Sequence, residues 1–154
     1  MKLLSKSISG LVMTAGLLVS ALAHAAPAYY SPNGVAIKGY DPVAYFTDSK
    51  AVKGTDQWVT EWQGAKWKFA SKANLDAFKA EPAKFAPQYG GYCAYGTAKG
   101  HLAPTEPDAW AVIDGKLYLN YNQRVRTTWQ KDVAGYNAAA DSQFTELLKG
   151  PTEE

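Results

Sequence analysis

The stretch Gln57-Trp58-Val59-Thr60-Glu61-Trp62-Gln63-Gly64-Ala65-Lys66-Trp67-Lys68-Phe69-Ala70-Ser71 decides how this chain is read. Trp58, Thr60 and Trp62 recur at every second residue, and Trp67 and Phe69 do the same on the returning segment. Alternation at period two on both sides of Gln63-Gly64 predicts a β-hairpin. Ser71 then stands where an N-cap would, opening a helix through Ala80 whose apolar Leu75 and Phe78 are three residues apart. Glu81-Pro82 ends that helix, and Pro82 opens another short turn toward Phe85.

Beyond it, Ala109–Ile113 and Lys116–Tyr121 flank Asp114-Gly115, a strong two-residue turn signal, and predict a second hairpin. In it, Leu117, Leu119 and Tyr121 alternate with Tyr118 and Asn120. Before the first hairpin, Val35–Tyr40 reads as a short strand. Asp41-Pro42 reads as a helix start, the Asp41 carboxylate accepting from free N–H groups, with Val43–Phe46 as one or two turns. Gly91–Ala98 reads as a short helix with Cys93 in its first turn. The tail from Gln123 to Lys149 is helical in pattern, with a weak point at Gly135 and with Asp141 as a possible cap for the piece carrying Phe144, Leu147 and Leu148. Strands and short helices follow one another without regular alternation, which favours an α+β fold. The expectation is one small domain, its two hairpins forming an antiparallel sheet packed by short helices and a C-terminal helical segment. Trp58 or its neighbours, Trp67, Phe69, Leu75, Phe78 and Leu119 are its expected core.

The N-terminus carries a separate signal. Lys2 and Lys6 precede an uncharged apolar stretch from Ile8 to Leu22, and Ala23-His24-Ala25 places small residues three and one before a cut. Residues 1–25 are therefore expected to be a secretory signal, residues 26–34 a flexible lead, and residues 35–150 the domain. The apolar stretch is broken by Gly10, Thr14, Gly16 and Ser20 and falls short of a membrane span, so no stable membrane insertion is expected after cleavage, and the destination is the periplasm or the exterior. Without Lys2 and Lys6 the chain has 14 basic and 14 acidic residues, a balance that gives no reason to expect nucleic acid as a partner. With a single cysteine, stability must come from packing, for which five tryptophans and ten tyrosines supply apolar area.

Cleavage after Ala25 also removes His24 and both methionines, Met1 and Met13. A soft ligand, a thiolate nucleophile or a histidine base must then come from Cys93, in Gln88-Tyr89-Gly90-Gly91-Tyr92-Cys93-Ala94-Tyr95-Gly96, or from His101. Cys93 reads either as a small buried residue or as a functional thiol whose pKa a helix start would lower below its ordinary value. His101 reads as a loop histidine or as a partner of Cys93. Asp41 reads as a cap before a ligand, while Glu106 and Asp108 are solvated or complete a weak copper or zinc site with Cys93 and His101. The aromatic residues are mostly core, with a subset near Cys93 available to line a ligand pocket. No phosphate loop, nucleophile elbow or acidic glycosidase pair is recognisable, and a second cysteine to resolve a mixed disulfide is missing, so an enzyme is not the expected class.

Gly39-Tyr40-Asp41-Pro42-Val43-Ala44-Tyr45-Phe46, then Trp67-Lys68-Phe69-Ala70-Ser71 leading into Asn74-Leu75-Asp76-Ala77-Phe78, then Pro87-Gln88-Tyr89-Gly90-Gly91-Tyr92-Cys93-Ala94 together resemble the exported YHS-domain proteins of bacteria, a likeness running from Val35 to Leu148. The resemblance implies a metal-binding ancestry, since short YHS domains carry cysteines at the positions matching Ala44, Ala70 and Asn74. None of these three can supply a thiolate. The resemblance also implies that selenocysteine sometimes stands at the position of Cys93, which points to redox or nucleophilic work there. Three functions follow as expectations. The first is handling of a metal ion, copper before others, through Cys93 with His101. The second is thiol redox at Cys93 with an external thiol partner, and the third is a non-catalytic ligand-binding or interaction module. No organic cofactor is implied.

Overall fold

The computed structural model describes residues 25–150. The expected signal, apart from Ala25, lies outside the described residues. Among the described residues no helix is long and apolar enough to cross a membrane.

The first hairpin pairs β1 (Thr55–Trp62) with β2 (Ala65–Phe69), Thr60 opposite Trp67 and Trp62 opposite Ala65. Gln63 and Gly64 turn it with φ of 50° and 74°, the left-handed pair that matches strand twist in a two-residue loop. Ser71 caps α2 (Lys72–Ala80) as its residue type predicts, its hydroxyl accepting from Asn74 N at 3.1 Å. Pro82 opens α3 (Pro82–Phe85). Ahead of the hairpin stands α1 (Ala44–Thr47). Val35–Tyr40, expected as a strand, instead turns in 3-10 fashion over Ala36–Gly39, and its ends make single bridges, Val35 to Lys66 of β2 and Tyr40 to Lys53 ahead of β1. Ile37 and Lys38 sit there at φ of 41° and 57°, which no strand contains.

The second hairpin pairs β3 (Trp110–Ile113) with β4 (Lys116–Leu119) around Asp114-Gly115. The fold is α+β, but the two hairpins form two separate two-stranded sheets and do not join into one. The reason lies in what the second hairpin does: it is a wall buried on both faces. Trp110, Val112, Leu117 and Leu119 pack into a core with Trp67, Phe69 and Phe78. Ala111, Ile113 and Tyr118, pointing the other way at period two, pack into a second core with Tyr89, Trp129 and Ala140.

The C-terminal helical segment supplies that second core. It breaks after α5 (Gln123–Trp129) and resumes as α6 (Val133–Lys149), with Asp132 accepting from Gly135 N at 3.0 Å. Asp141 does not cap a final piece. It lies inside α6, where its carboxylate accepts from the Tyr89 hydroxyl at 2.9 Å.

The lead, expected to be flexible, is bound along the body. Ala26 N donates to Leu148 O at 2.9 Å and Tyr30 N to Gly90 O at 2.8 Å. The Tyr92 hydroxyl donates to Pro27 O at 2.9 Å, and the Tyr29 ring lies 5.2 Å from both Trp62 and Trp67. Its polar and Pro-containing composition resembles a linker, but its tyrosines and backbone amides have partners waiting on the domain.

Candidate functional site

Cys93 is the N-cap of α4 (Ala94–Ala98), one residue ahead of the helical turn expected to contain it. Its own N–H donates to Ala103 O at 3.0 Å, and its carbonyl accepts from Thr97 N at 2.8 Å and Thr97 Oγ1 at 2.9 Å. The backbone is thus locked on both sides, and the side chain is aimed inward, leaving the residue 1% exposed.

The sulfur meets polar atoms in that interior. Gly96 N–H and Tyr121 N–H both donate to Sγ at 3.3 Å. The thiol in turn reaches Asn120 Oδ1 at 3.7 Å, the same oxygen that accepts from Tyr95 N at 3.2 Å. Asn120, directly after β4, is 0% exposed, and its Nδ2 has no hydrogen-bond partner. Three elements build this cradle: the N-cap of α4, the first turn of α4 and the exit from β4. The thiol pKa is raised, because burial penalises the thiolate more than the N–H groups of Gly96, Tyr121 and Tyr95 favour it. The lowered pKa expected of a helix start is not found, since a five-residue helix cannot offset removal from water.

His101 is exposed. Gly96 stands beside both it and Cys93, for Nε2 of His101 lies 3.3 Å from where a Cβ on residue 96 would stand, and Gly96 N–H donates to the sulfur. Glu106 is on the surface and pairs with Lys38 at 2.8 Å, while Asp108 is exposed and its carbonyl accepts from Gln123 Nε2. Among the described residues no group of three or more His, Cys, Asp or Glu side chains could hold a metal ion.

Asp41 stands at a different place and does more than cap. Its Oδ1 accepts from Val43 N at 2.8 Å and Ala44 N at 3.3 Å, and its Oδ2 accepts from Ala70 N at 2.8 Å and Asn74 Nδ2 at 2.7 Å. These donors include all three positions, 44, 70 and 74, at which the resemblance implied metal-ligating cysteines. They do come together, and what they surround is a buried carboxyl group. Two methyl side chains and an amide already donating to Asp41 are not a donor set for a transition metal. The carboxyl oxygens, occupied by four N–H groups, tie α1, the end of β2 and α2 to one point.

Of the aromatic residues expected to be available for a pocket near Cys93, Tyr89 lines a cavity elsewhere. A cavity of 310 Å³ is walled by Tyr29, Tyr89 and Phe144 with Asp141, and Cys93 is not among its lining residues. The residue missed from sequence is Asn120. Its signal was present, a polar side chain on the same alternating face as the buried Tyr118.

No curated protein and no solved structure matches the chain. The model of the YHS domain family matches residues 43–89, from the start of α1 through both strands of the first hairpin to Tyr89, and stops short of Cys93. Over that stretch the chain is similar to the YHS domain family, and Asp41, just outside the matched segment, binds Ala44 N, Ala70 N and Asn74 Nδ2 within it.

Proposed function

We propose that this protein is a thiol-based redox protein that acts through Cys93 and is restored by an external thiol partner. The observation that carries the reading is the polar cradle of the sulfur: two backbone N–H groups at 3.3 Å and a buried Asn120 amide beside them. N–H donors directed at sulfur lower the cost of its anionic form, although burial here still outweighs them. With no second cysteine in the chain, the oxidised sulfur must be resolved by a thiol from outside. Export, expected from residues 1–25, supports the reading, since it would carry the thiol into an oxidising compartment.

Metal handling, with copper first, is the second reading, and the YHS match favours it. It has less support because the positions at which the resemblance implies ligands surround Asp41 without a thiolate, and because among the described residues no group of three ligating side chains includes Cys93. The two readings separate in one pair of titrations. The thiol reading expects an activated aromatic disulfide to form one mixed disulfide per chain, reversed by a dithiol and absent in Cys93→Ser. Tight cuprous binding lost in Cys93→Ser and weakened in His101→Ala, with no mixed disulfide formed, would replace it by the metal reading.

A further inference from the structure

We infer that the Asn120 side-chain amide is a hydrogen-bond donor held for an oxygen atom on the Cys93 sulfur, so that the oxidant this site takes is a small hydroperoxide and its product is a cysteine sulfenic acid. The inference rests on the thiol reading and names its substrate class. Asn120 is 0% exposed, yet its Nδ2 is without a partner, whereas a buried N–H normally finds one. The orientation of the amide is fixed, because Tyr95 N–H at 3.2 Å requires an acceptor and so places Oδ1 there. The same Oδ1 lies 3.7 Å from Sγ, so the free donor belongs to a group that already flanks the sulfur.

A free N–H discriminates among what could arrive at the sulfur. A metal cation gains nothing from it, since a donor hydrogen carries positive charge. A disulfide presents no oxygen to accept it. A hydroperoxide does, in its ground state and more strongly as the O–O bond breaks and charge grows on oxygen. In the step, the thiolate of Cys93 attacks one peroxide oxygen, the S–O bond forms and the O–O bond breaks. The proton given up by the thiol passes to the departing alkoxide, which leaves as an alcohol or water. Sulfur is oxidised by two electrons and the peroxide is reduced by two. An external thiol then condenses with the sulfenic acid, releasing water and forming a mixed disulfide that a second thiol reduces. Cys93 is 1% exposed, so the peroxide reaches the sulfur when the neighbouring segment at Tyr121, itself 51% exposed, moves aside.

The test compares rates with hydrogen peroxide and with iodoacetamide, because their ratio within each variant cancels differences in stability and in thiolate fraction. Wild type should give a one-oxygen adduct trapped by dimedone. Asn120→Asp and Asn120→Ala, which remove the donor, should lower the peroxide-to-iodoacetamide ratio about tenfold or more, the scale of one hydrogen bond to a charged group. An unchanged ratio in either folded variant overturns the inference. If neither variant folds, the wild-type arm decides: a protein that forms the mixed disulfide but no one-oxygen adduct refutes the inference and leaves the thiol reading standing. A thiol inert to both reagents removes both.

Discussion

Asn74 Nδ2 donates to Asp41 Oδ2 at 2.7 Å, a bond between residues thirty-three apart in sequence that joins α2 to the start of α1. The same carboxyl group takes three backbone N–H groups, so one side chain does the cross-linking that a metal with cysteine ligands would do. Asp41→Ala should therefore cost at least ~3 kcal/mol, because four donors lose a charge-assisted partner at once. Urea unfolding monitored by tryptophan fluorescence checks this. A midpoint equal to wild type would show that the cluster carries no stability.

Phe78 is fully buried against Trp62, Trp67 and Phe69, with ring centroids 5.0 to 5.6 Å apart. Phe78→Ala should cost ~3 to 5 kcal/mol. Cys93→Ala should cost clearly less, since it removes one sulfur and leaves Gly96 N–H and Tyr121 N–H to find other partners. Thermal melts of the two variants decide it. Equal losses would make Cys93 a packing residue.

The first hairpin was legible because its signals are local: tryptophans at period two, a Gln-Gly turn and a serine cap, each recorded within a few residues. So was the second, through Asp114-Gly115. That the two hairpins stay apart was not legible, because it depends on β3 and β4 being buried on both faces, and the second face is covered by Trp129 and Ala140 from α5 and α6. Val35–Tyr40 misled because its apolar residue types suit a strand, while nothing in them announces the left-handed turn at Ile37 and Lys38. At the site, Cys93 stood out by scarcity alone. Asn120 did not, since its burial and its distance to the sulfur follow from the return of β4 beside α4. The lowered thiol pKa was expected from the helix start without knowledge of the burial that outweighs it.

Gly90 lies at φ 60°, and a Cβ there would overlap the carbonyl oxygen of Ala28 in the lead. Gly90→Ala should therefore displace the lead, break the Tyr30 N to Gly90 O bond and cost ~2 kcal/mol or more through strain and lost packing. Limited proteolysis provides the readout, with cleavage between Ala26 and Pro32 appearing in the variant ahead of any cut in the domain. Resistance equal to wild type would mean that the lead is not held there.

Burial holds the Cys93 thiol above its ordinary pKa, so at neutral pH the folded protein should react with iodoacetamide more slowly than a free thiol. The rate should rise as pH passes beyond the usual thiol range. The linked stability has a definite sign. A raised folded-state pKa gives a contribution fully present below the unfolded thiol value and lost as pH climbs through the folded one. Wild type should thus lose stability relative to Cys93→Ala across that alkaline window, measured by denaturation at stepped pH. A difference independent of pH would contradict the burial assigned to the thiol.

The central claim is that Cys93 is a working thiol, and the state of that sulfur in protein taken from its native compartment tests it most directly. Intact mass under native and then denaturing conditions, with and without a dithiol, reads the sulfur and any bound metal together. The account predicts chains without metal, a fraction of them carrying one oxygen or a thiol cap on Cys93 that the dithiol removes. A uniformly reduced, uncapped Cys93 that stays unmodified after peroxide treatment, or a metal adduct that Cys93→Ser abolishes, would contradict it.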